Sequence, residues 1–153
     1  MFDRVLNSFI SILGYLMKTL LTVLSMFVGV VAQAQTTSAS IMGTWDLSQF
    51  TLGDSLPTTP QERGFKRLKI FSTTHFTVLQ LDAQTNEILG SLFGTYSLAK
   101  GILTESILNV SKNAANMNGK TFTFKVTLSG TGTMNQVGDI NGLMTTEKWT
   151  KVK

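Results

Sequence analysis

The run "TFTFKVTL" alternates without a break, with Phe122, Phe124, Val126 and Leu128 on one set of positions and Thr121, Thr123, Lys125 and Thr127 on the other. A period of two puts the two sets on opposite faces of a strand, so the segment predicts a half-buried antiparallel strand with one wet face. Similar short runs recur over residues 43–52, 66–71, 76–82, 87–98, 102–110, 121–129, 133–138 and 144–152, which makes about eight strands. Short turn signals separate them: Gln84-Thr85-Asn86, Ala99-Lys100-Gly101, Ser129-Gly130-Thr131-Gly132 and Asn141-Gly142. Turns this short favour hairpins over helical crossovers. No stretch carries the period of a long amphipathic helix, although "KNAAN" has room for one helical turn. Two longer connections, 53–65 with both prolines and 111–120, are expected to form rims or lids at the mouths of the folded unit.

Sequential antiparallel strands with inward apolar faces build either a sandwich or a barrel, and closure is favoured because it removes exposed edges. Trp45 in "IMGTWDLSQF" and Trp149 in "TTEKWTKVK" lie on the first and last strands, which become neighbours only if the sheet closes. Both are expected to seal the barrel. Gly90 and Gly94 share a face of the long fourth strand, where missing side chains let a strand bend sharply. The expected fold class is all-β, an eight-stranded antiparallel up-and-down barrel.

Composition changes the picture at the N-terminus. The chain has 153 residues, 42% hydrophobic and only 14% charged, and one segment inflates the apolar share. Over 9–34 the only charge is Lys18, and "MKTLLTVLSMFVGVVAQAQ" supplies a positive start, an apolar run and the small-residue site Ala32-Gln33-Ala34. Residues 1–34 therefore read as an apolar signal helix cleaved before Gln35, and the pattern fits a start at Met17 better than one at Met1. The alternative is an uncleaved anchor, since 9–34 is long enough to span about 30 Å of hydrocarbon. That leader would be the only membrane contact. Residues 35–153 form one domain, expected to bury roughly 65% of its unfolded surface. The chain has no Cys, so packing alone holds the fold and no lipid-modified cysteine follows the leader. The expected location is secreted or periplasmic. The formal charge of +4 includes Arg4 and Lys18, which leaves the domain mildly basic and gives weak support for an anionic partner.

Gly43-Thr44-Trp45 at the start of the first strand is similar to the Gly-X-Trp signature of lipocalins. More widely, "GTWDLSQFTLGD", "RLKIFSTTHFTVLQLD", "GTYSL", "GKTFTFKVTL" and "EKWTKVK" resemble the lipocalin-like domains of small secreted bacterial proteins, many without an assigned function. The resemblance covers nearly all of 35–153. It implies a calycin-type barrel that binds a small apolar or amphipathic molecule in its interior. In lipocalins a basic residue from the end of the barrel packs over the signature tryptophan, and this chain offers Lys148 or Lys151 there and no Arg.

Candidate ligand-binding residues are Phe71, Phe76, Tyr96, Glu105, Phe122 and Phe124. The same aromatics would also serve to fill a barrel of eight strands, which encloses only enough space for side chains or one small ligand. Glu105 sits between Leu103 and Ile107, and if that face points inward its charge is desolvated and needs a partner.

Catalytic and metal chemistry find little support. "GDSL" at 53–56 matches a hydrolase nucleophile block but lacks the helices and the Asp-X-X-His relay of that family, so it reads as a turn. His75 is the one histidine and cannot make a zinc site without cysteines. No cofactor and no metal are expected. The basic cluster Arg63, Lys66, Arg67 and Lys69 alternates around Leu68 and Ile70, which reads as a solvated strand face rather than a nucleic-acid surface. The leading expectation is thus a binding barrel. Its rivals are a filled barrel that docks a protein or glycan at the cell surface, and a cofactor-free enzyme using His75, Glu105 and Tyr96. The sequence sets no oligomeric state.

Overall fold

The computed structural model describes residues 38–153; the leader reading over 1–34 lies outside the described residues. The described chain opens with one helical turn, α1 (Ser38–Ile41), followed by β1 (Gly43–Leu52), β2 (Phe65–Phe71), β3 (His75–Asp82) and β4 (Ile88–Ala99). It continues through β5 (Ile102–Val110), β6 (Thr121–Ser129), β7 (Thr133–Ile140) and β8 (Leu143–Lys151). Each strand pairs antiparallel with the next, and β8 returns to β1 to close an up-and-down barrel. The seam places Leu47 opposite Trp149 and Trp45 opposite Lys151. No helix among the described residues is long and apolar enough to cross a membrane.

Alternation decides which side of each strand is inside. On β6, Phe122, Phe124 and Val126 are buried while the intervening Thr123 and Lys125 are exposed. The β7–β8 ladder runs further than the expected 138 and 144, to the pair Ile140 and Leu143. Asn141 and Gly142 between them both take positive φ, 58° and 86°, as do Lys100 and Gly101 at the β4–β5 hairpin, 52° and 76°. A two-residue turn of this kind twists with the strands and carries pairing to the tip.

Curvature comes from glycines and bulges, as the sequence suggests for β4. The β3–β4 register shifts between Gln80 and Leu81, beside the partner residue Gly90, and the β4–β5 register shifts between Phe93 and Gly94. Phe76 sits opposite Gly94, and Phe124 opposite Gly138. A Cβ on Gly94 would collide with the Ser106 carbonyl and the Phe76 ring, and one on Gly138 with the Thr123 carbonyl and the Phe124 ring. The two phenylalanines thus occupy the room their partners leave empty.

The packed core lies at the end where β1 begins and β8 finishes. Ile41, Trp45, Leu47, Phe71, Phe76 and Leu103 are buried there. The Trp45 indole N–H donates to the Ile41 carbonyl at 2.7 Å, so α1 folds under the barrel as a plug. Tyr96 meets Phe71 edge-on at 4.9 Å, and its hydroxyl donates to the Ser72 carbonyl at 2.6 Å. Burial pushes the Tyr96 phenol above its ordinary value.

Candidate functional site

The barrel is filled at one end and hollow at the other. The connections after β1 and after β5 both leave from the hollow end, so they stand over a single mouth rather than at opposite ones. Beneath them opens a cavity of about 670 Å³. That is the size of a small-molecule site, which typically runs roughly 300–1,000 Å³.

Local hydrogen bonds order both connections. After β1, Phe50 and Thr58 exchange backbone bonds of 2.9 Å. The Glu62 carboxylate accepts the Thr59 N–H at 2.7 Å and the Thr58 hydroxyl at 2.9 Å, while Thr59 Oγ1 accepts the Glu62 N–H at 3.3 Å. These reciprocal bonds brace the start of a 3-10 turn (Gln61–Arg63), and the Thr59 N–H above all holds the Glu62 carboxyl below its ordinary value. After β5, a kinked 3-10 segment (Lys112–Met117) is tied down by Asn113 Nδ2, which donates to the Leu89 carbonyl at 2.8 Å. The rim that results is largely apolar, with Phe50, Leu52, Phe65, Leu89, Met117 and Leu143, and carries Arg63 and Asn116 from the connections themselves.

Below the rim the wall turns polar, and here the expected orientation of β2 is overturned. Arg67 and Lys69 point into the barrel in phase with Phe65 and Phe71, whereas Ile70 on the alternate face is exposed. The physical reason is that distant strands supply partners. Lys69 Nζ donates to Glu105 Oε1 at 2.9 Å, to Oε2 at 3.2 Å and to Gln136 Oε1 at 3.2 Å. It also lies 5.1 Å from the Trp149 ring and 5.4 Å from that of Phe124, whose negative faces favour the cation. Glu105 therefore does face inward and does have its partner. Burial pushes its carboxyl above the ordinary value, and the Lys69 charge opposes that rise.

Arg67 stands one inward step nearer the mouth. Its Nη2 donates to Gln80 Oε1 at 2.7 Å, its guanidinium covers the Phe65 ring at 5.0 Å, and its Nη1 is 3.6 Å from Glu147 Oε1. Glu147 Oε2 accepts the Trp149 indole N–H at 3.1 Å. Trp149, expected as a seal alone, thus lines the cavity as well.

Of the residues expected from the sequence, Glu105, Phe122 and Phe124 line the cavity. Phe71, Phe76 and Tyr96 lie beneath it in the filled half. Sequence reasoning put Arg67 and Lys69 on a solvated face and passed over Gln80 and Glu147. One signal was present: Phe65 and Phe71 bracket the two cations at even spacing, which puts all four on one face.

Of the expected catalytic set, Glu105 and Tyr96 are cross-strand partners with buried side chains, but His75 does not join them. His75 is exposed, stacks on Phe93 at 5.2 Å and contacts the Thr74 hydroxyl at 2.8 Å, apart from Glu105 and Tyr96. Ser55 of "GDSL" closes a turn, its Oγ accepting the Leu52 N–H at 3.1 Å. Among the described residues no three His, Asp or Glu side chains converge as a metal set.

Two solved structures share this barrel. One is a lipocalin-like protein from Bacteroides uniformis ATCC 8492, with a TM-score of 0.54 and 20% identity over 74% of this chain and 99% of that one. The fold is lipocalin-like. The second is an uncharacterized protein from Bacteroides eggerthii DSM 20697, with a TM-score of 0.54 and 14% identity over 72% of this chain and 98% of that one. No protein-family model and no curated protein match the sequence. In this lipocalin-like barrel the Gly-X-Trp tryptophan is Trp45, and the basic residue over it is Lys151, whose Nζ lies 5.3 Å from the ring. Lys148 is exposed.

Proposed function

We propose that this lipocalin-like barrel is a binding protein that holds one small amphipathic molecule in its mouth cavity. The observation that carries the reading is the division of the interior, packed around Trp45 and Leu103 but open over about 670 Å³ below the two long connections. An apolar rim above a polar wall suits a molecule with both characters better than a purely apolar one. Glu105, Phe122 and Phe124 would touch it. The Ala32-Gln33-Ala34 site after an apolar run supports a secreted or periplasmic place of action. Native mass spectrometry of protein taken from its own host, together with titration by an apolar fluorescent probe, tests the proposal. A bound small molecule and saturable probe uptake are expected. Protein that carries nothing and takes up no probe would overturn it.

A further inference from the structure

We infer that the cavity selects an amphipathic anion, with its acidic head on the Arg67 guanidinium and its apolar body toward the mouth. This rests on the cavity being a binding site, and it assigns the chemistry of the ligand.

The two inward cations differ in how far they are satisfied. Lys69 is committed to Glu105 and Gln136 and enclosed by rings. Arg67 is not. A guanidinium carries five N–H donors, yet among the described residues the one side-chain hydrogen bond from Arg67 is that to Gln80. Glu147 stands at 3.6 Å, beyond good hydrogen-bond distance, and its other oxygen is taken by Trp149. The guanidinium lies over the Phe65 ring at 5.0 Å, and its N–H donors not used by Gln80 remain for a planar acceptor such as a carboxylate.

Charge points the same way. Arg63, Arg67 and Lys69 line the cavity against Glu105 and Glu147, so the lining carries an excess of cationic side chains. A neutral head would accept from the Arg67 donors but leave the desolvated charge uncompensated, and a cationic guest would add to the excess. An anion satisfies both. On the mouth side of Arg67 the lining is mostly apolar, through Phe50, Phe65, Met117, Ile140 and Leu143, and the cation there, Arg63, is exposed, which sets the head inward and the body outward.

Calorimetry at neutral pH with decanoate, decanol and decylammonium, each below its micelle concentration, tests the inference. Decanoate should bind at least about tenfold more tightly than decanol, because a hydrogen bond to a charged group contributes more than a neutral one. Decylammonium should bind weakest. The decanoate-to-decanol ratio should fall toward one in Arg67→Gln and take an intermediate value in Arg67→Lys, which keeps the charge and loses the fork. It should rise in Glu147→Gln, where the competing carboxylate is gone; a merely structural Glu147 would produce no such gain. Equal binding of decanoate and decanol by the wild type overturns the inference while leaving the cavity as a binding site. A ratio unmoved by both Arg67→Lys and Glu147→Gln overturns it too. If none of the three binds, the binding function itself fails.

Discussion

Lys69 and Glu105, 36 positions apart in sequence, meet at 2.9 Å inside the barrel with 4% and 5% of their side chains exposed. Such a pair costs desolvation energy that its attraction only partly offsets, so it adds little stability over an apolar pair of the same shape. Its consequence is strandwise: it ties β2 to β5 across the interior and, through Gln136, reaches β7. Removing one member is a different matter, because the other is left buried and alone.

Lys69→Met should therefore lower stability at neutral pH by about 3 kcal/mol. Adding Glu105→Leu should recover most of the loss, since the double variant strands no charge. Urea midpoints of the wild type, the single and the double variant decide this. A double variant as unstable as the single one would mean that the site needs polarity for another reason.

The Glu105 carboxyl gives the pH dependence a sign. Its value is raised in the folded protein, so between the ordinary 4.5 and that raised value the native state holds a proton the unfolded chain has released. Stability from this group is present below 4.5 and lost as pH climbs through the folded value. The urea midpoint of the wild type should fall relative to that of Glu105→Gln as pH rises above 4.5. A wild type that instead gains on the variant over the same range would show that attraction to Lys69 outweighs burial.

Closure through β8 makes the C-terminus indispensable. Removal of residues 147–153 opens the pairing of β8 with both β1 and β7 and takes away Trp149, which is fully buried. Loss of a buried Trp alone typically costs about 3–5 kcal/mol, a large share of the roughly 5–15 kcal/mol that holds a domain. The truncated chain should show no cooperative thermal transition by circular dichroism.

How much of this was legible follows from particular residues. Strands β1, β5 and β6 stand where alternation and turn residues put them, because those signals are local. Trp45 and Trp149 announced closure because only a closed sheet makes first and last strands neighbours. The orientation of β2 was hidden. In "FKRLKIF" either face offers a plausible inside, and the usual preference sends Leu68 and Ile70 inward. The preference loses because Glu105, Gln136 and Glu147, far along the chain, present a polar interior that only the assembled register reveals. The hollow half was equally out of reach, since a cavity is set by how strands and loops pack and not by any residue alone.

The division between the filled and hollow halves can be tested on one strand. Leu103 and Ile107 share the inward face of β5, but Leu103 is wholly buried in the packed end whereas Ile107 lines the cavity. Leu103→Trp forces extra volume into a full core and should cost about 1–3 kcal/mol or more. Ile107→Trp places its ring in open space, so the stability change should stay within about 1 kcal/mol while probe affinity drops at least about tenfold as the room for a guest is taken. Urea midpoints and probe titrations of the two variants separate the outcomes. Equal destabilisation at both positions, with no probe uptake to lose, would mean that the upper half is as full as the lower, and the barrel would then have to act through its outer surface.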